Sequence, residues 1–86
     1  MFQIFVRIPT NRTLVFDVER STTGRDIKRL IWWREGIPVE IQWLCNGVRL
    51  LHDDTALYEL NIERESTVWC HIRGRADDEE ENPRQE

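Results

Sequence analysis

The chain has 86 residues, 40% of them hydrophobic and 33% charged, a mixture suited to one small globular domain with a modest core. Its formal charge of −4 is uneven: residues 1–75 carry eleven basic and ten acidic side chains, whereas residues 76–86 carry one arginine and six acids. The near-neutral body argues against a general nucleic-acid binder, and the acidic run Asp77–Glu81 is expected to be a solvated, disordered segment or linker. The opening "MFQIFVRIP" is too short and too interrupted for a signal peptide, and no run approaches membrane-spanning length. Two cysteines without such a signal point to reduced thiols and a cytoplasmic or nuclear location.

In chain order, Phe2, Ile4, Val6 and Ile8 alternate with Gln3, Phe5, Arg7 and Pro9, the period of a half-buried strand. "PTNR" supplies a turn in which Asn11 tolerates a left-handed backbone. Leu14, Phe16 and Val18 then repeat the alternation, so the first two strands form a hairpin. "STTGRDIKRLIWWREGIP" switches to helical period. Thr23 caps it, with Asp26 three residues on as the second half of a capping box. Gly36 and Pro38 end it. Ile27, Leu30, Ile31 and Arg34 share one face. Trp32 falls about 140° from Ile27 and should point away from the core, with Trp33 on the flank.

"QWLCNGVRLL" reads as two short strands about an Asn46-Gly47 turn. "TALYELNI" suits a single helical turn. Val68, Cys70 and Ile72, alternating with Trp69, His71 and Arg73, make a last strand. The order is two strands, a helix, two strands, a short turn and a final strand, which buries its amphipathic faces best as a mixed sheet with one helix across it. The last strand is then expected beside the first.

Three phrases, "QIFV" at Gln3–Val6, "EGIP" at Glu35–Pro38 and "NI…EST" at Asn61–Thr67, resemble ubiquitin in order and spacing. With one extra residue at the start, positions 2–75 match without a gap. The resemblance implies an α+β fold of the β-grasp type, a mixed sheet wrapped around one helix, over residues 1–75, followed by the acidic residues 76–86. It also implies an ion pair between Lys28 and Asp53. The ungapped match puts Leu44 inward, whereas a one-residue shift through "CNGVRL" would exchange the faces of Gln42–Asn46.

The departures from ubiquitin matter as much. Arg73 and Arg75 fit the basic lead-in to ubiquitin's conjugating end, but Ala76 and Asp77 stand where it has two glycines. A side chain at either place would collide in the narrow channels of activating and processing enzymes, where glycine allows close backbone approach. Arg7, Arg12, Arg34, Arg49 and Arg64 occupy ubiquitin's lysine places, and arginine is no acyl acceptor. The chain therefore looks like a domain that binds rather than one that is attached.

By the same resemblance, the partner-binding surface is the exposed sheet face, at Pro9, Cys45, Trp69 and His71 with Trp43, Arg49 and Arg73 around them. Tryptophan and arginine are the residue types that most often anchor interfaces. An outward tryptophan on a strand either docks a partner or stacks on a cross-strand neighbour, here Trp43 against Trp69. Trp32 and Trp33 are a second candidate surface, the alternative being Trp33 packed under a loop with Trp32 partly exposed.

The expected partners are proteins of the ubiquitin system, namely receptors, ubiquitin-binding motifs or a ligase, met by a non-catalytic monomer that forms the N-terminal domain of a longer chain. Two other functions compete. One is a modifier precursor cleaved after Gly74; the other is RNA binding through arginine and tryptophan on the sheet. No cofactor or metal is expected. Cys70 and His71 lie on opposite faces of a strand, Cys45 with His71 lacks a third orienting residue, and the cysteines and histidines meet no zinc spacing.

Overall fold

The structure, a computed structural model, describes residues 1–73. The expectations for Gly74, Arg75, Ala76 and the acidic run, and the boundary at residue 75, lie outside the described residues. Five strands form one mixed sheet: β1 (Phe2–Arg7), β2 (Thr13–Val18), β3 (Gln42–Asn46), β4 (Arg49–Leu51) and β5 (Thr67–Ile72). Their order is β2-β1-β5-β3-β4. β1 runs parallel to β5 and antiparallel to β2, so the last strand does insert beside the first. The helix α1 (Gly24–Glu35) covers one face.

The alternation sets the layers. Ile4, Val6 and Ile8 from β1 and its end, Leu14, Phe16 and Val18 from β2, Leu44, and Val68 and Cys70 from β5 are all buried. They meet Ile27 and Ile31 of α1, both fully buried. Burying each of those two side chains contributes about 2 kcal/mol. Leu30, expected on the same face, is instead 36% exposed. The inward stripe of this 12-residue helix is narrow, and Leu30, 100° from Ile31, falls off its edge.

Both helix ends follow local chemistry. Thr23 Oγ1 accepts from the Asp26 N–H at 3.3 Å, and Asp26 Oδ2 accepts from the Thr23 N–H at 3.1 Å, a complete capping box. Gly36 closes the helix in the left-handed region at φ +78°, its N–H donating to Trp32 O at 2.8 Å. Gly24 has a different role. A Cβ there would overlap the His52 carbonyl oxygen, so the start of α1 lies directly on the chain that follows β4.

The β3 register puts Gln42 and Leu44 inward. Gln42 is the buried polar side chain of the described core. Its Nε2 donates to Lys28 O at 3.0 Å and Ile37 O at 2.9 Å, tying β3 to the helix and to the segment after it. The β3–β4 turn differs from the expected one by a residue. Asn46 still pairs with Arg49, and the loop is Gly47–Val48, with Gly47 at φ +68°. Pairing sets the loop, and glycine serves the position that needs positive φ. Short 3-10 turns at Val39–Ile41 and Leu57–Leu60 complete the chain.

Candidate functional site

The outward positions of β1, β5 and β3 gather the predicted side chains on the face away from the helix. The register places Cys45 opposite Trp69 and Trp43 opposite His71. The expected stack of Trp43 on Trp69 is therefore absent. Trp43 lies against His71 instead, ring centroids 4.7 Å apart and tilted by 32°. Trp69 lies beside Arg7 of β1, whose guanidinium sits 5.3 Å from the indole centroid, a cation–π contact worth about 0.5–1 kcal/mol at such a site. Trp69 remains 45% exposed.

The rim is more dispersed. Arg73 continues the outward phase of β5, held by its N–H to Ile41 O at 3.0 Å, and it shares a groove with Trp43. Arg49 is exposed but pairs with Asn46, in the phase opposite to Cys45, so it leaves the sheet at its edge. Leu50 takes the outward place beside Cys45 and is 39% exposed. Pro9 is exposed in the β1–β2 turn, two residues past Arg7.

Arg7 and Leu50 are the members that sequence reasoning missed. The alternation of β1 already points Arg7 outward, but its place beside Trp69 depends on parallel pairing between opposite ends of the chain, which no local pattern encodes.

Electrostatically this face is cationic. Arg7 and Arg73 on it, and Arg49 at its edge, have no ion-pair partner among the described residues, and the buried Nε of Arg7 has no hydrogen-bond acceptor there. The nearest acids on the groove beside Arg73, Asp53 and Asp54, are engaged: Lys28 Nζ donates to Asp53 Oδ1 at 2.7 Å, and Arg25 reaches Asp54 Oδ1 at 3.4 Å. Burial lowers the pKa of His71, so its imidazole is neutral at pH 7.

Thiol chemistry is not set up here. Cys45 and His71 face the same way but sit diagonally, and burial raises the Cys45 pKa. Cys70 is buried and pushed up to about 12. Both thiols stay protonated at neutral pH. Among the described residues no three His, Cys, Asp or Glu converge on a metal position, and no helix is long and apolar enough to cross a membrane.

The second candidate surface is on α1. Trp32 is 50% exposed and Trp33 83% exposed. No loop covers Trp33, contrary to one expectation, whereas Trp32 is partly exposed as expected. Together Arg29, Leu30, Trp32, Trp33, Val39 and Glu40 line an open groove of about 660 Å³.

A five-stranded mixed sheet around one helix, with parallel β1 and β5 side by side, defines a β-grasp domain of the α+β class. The model of the ubiquitin family matches residues 4–75, and the chain belongs to that family.

Proposed function

We propose that this ubiquitin-like domain is a non-catalytic, non-conjugated protein-interaction module that docks ubiquitin-system partners through the outer face of β1, β5 and β3. The observation that carries this is the assembly of Trp43, His71, Trp69 and Arg7 on one solvent-facing surface. An aromatic surface left in water by a domain of this size is the usual mark of a contact site, and Trp and Arg are its usual anchors. Ala76 and Asp77, in place of two glycines, support binding over attachment. Receptors, ubiquitin-binding motifs and ligases are the partner classes, met in the cytoplasm or nucleus by one module of a longer chain.

Pulldown with the folded chain and with Trp69→Ala tests this. Loss of a central anchor weakens binding by about tenfold or more, with an unchanged fold. A large loss of thermal stability with unaltered partner affinity would overturn the assignment, since Trp69 would then be only a brace for Arg7.

A further inference from the structure

We propose that the groove on α1 pairs this domain with a second copy of itself about a two-fold axis, Trp33 of each copy seated in the groove of the other. This goes beyond the docking role of the sheet face and does not depend on it.

A two-fold interface brings the same patch of both copies together, so that patch must complement itself in shape and in charge. The shape is present. Trp33 stands 83% exposed beside a groove of about 660 Å³, lined by Leu30, Trp32 and the half-buried Val39. The charge is present too. Arg29 and Glu40 line the same groove, carry opposite signs, and form no ion pair with each other or with any other described residue. A two-fold copy sets each Arg29 against Glu40 of the other chain, which gives two charge-assisted contacts. A partner of one charge would satisfy only one of these side chains.

The sheet face fails the same requirement. Arg7 and Arg73 lie on it and Arg49 at its edge, with no acid paired to any of them. Two copies meeting there would set guanidinium against guanidinium, which is unfavourable. Self-pairing is therefore directed to α1.

Area sets the strength. An indole covers about 150–250 Å² when fully buried. Trp32 and Trp33 thus leave roughly 200–330 Å² in water per copy. With Leu30, Val39 and the charged rim, two copies cover about 1,000 Å² in total, the lower end of specific interfaces. The pair is a reversible dimer and not an obligate one. Because α1 covers the inner face of the sheet, pairing through it leaves both outer faces uncovered. One dimer then offers two sheet surfaces, and a partner with repeated motifs gains avidity.

Sedimentation of the full 86-residue chain between about 10 μM and about 1 mM tests this, in about 0.15 M salt to screen net charge beyond roughly 8 Å. The mass should rise from 10.4 kDa toward twice that value. In NMR over the same range, the indole N–H signals of Trp32 and Trp33 should shift while those of Trp43 and Trp69 stay. Trp33→Ala should keep the fold and weaken dimerisation by about tenfold or more. Arg29→Glu and Glu40→Arg should each leave a monomer. An equimolar mixture of those two variants should dimerise again, since each then offers the charge the other lacks. A mass of 10.4 kDa at the highest concentration would overturn the proposal. So would shifts confined to Trp43 and Trp69, full dimerisation of Trp33→Ala, or a mixture that stays monomeric.

Discussion

Lys28 and Asp53 show how a single pair links stability to pH. The hydrogen bond from Lys28 Nζ, helped by the charges of Lys28, Arg25 and His52, outweighs partial burial and lowers the Asp53 pKa. The folded carboxyl therefore binds its proton less readily than the unfolded one. The resulting stability is present above pH ~4 and is lost as pH falls through the depressed value. Because the Asp53 side chain is 44% exposed, the pair is worth only about 1 kcal/mol. Lys28→Met should lower Tm by several degrees at pH 7 and make Tm less sensitive to pH between about 4 and 2. Equal Tm losses at pH 7 and pH 2 would show that the pair is not the cause. His71 acts nearer neutrality. Its lowered pKa means that stability falls as pH drops through about 6.5 toward the folded value, since the unfolded imidazole takes the proton first.

At the scale of elements, α1 was largely legible and its surroundings were not. Thr23, Asp26 and Gly36 announce both ends of the helix through short-range hydrogen-bonding and φ requirements, and both are where the sequence places them. The exposure of Trp33 was not legible, because it depends on where a loop passes. Gly24 carries no signal in sequence at all. As the first helical residue it looks like a place where alanine would stabilise. The His52 carbonyl reverses that sign. Gly24→Ala should cost about 1–3 kcal/mol through overpacking, seen as an earlier denaturant midpoint with an unchanged slope. A neutral or stabilising effect would mean that the segment after β4 yields easily.

Over the whole molecule, alternation assigned inside and outside in β1, β2 and β5, because side-chain direction is a local property of a strand. Which side chains meet across strands is not local. Trp43 meets His71 rather than Trp69, and Trp69 meets Arg7, because register joins segments more than twenty residues apart. Leu50 and Arg49, by contrast, take their places from the local β3–β4 hairpin, where they pair with Cys45 and Asn46. Charge at this scale yields a prediction about amines. The chain has one lysine, and its side chain is 13% exposed against Asp53. Brief treatment of the folded 86-residue chain with an acetylating ester should add one acetyl group, at the α-amino group, as read by intact mass. In denaturant it should add two. Two rapid additions to the folded chain would show that the Lys28 pair opens freely.

That ion pair also bears on the domain's own fate. Transfer of an acyl group to a protein needs an amine that can leave its hydrogen bonds, lose a proton and enter another active site. In residues 1–73 the one side-chain amine is clamped at 2.7 Å to Asp53 beneath the helix. A domain built this way offers its one described side-chain amine poorly to any enzyme that modifies lysine.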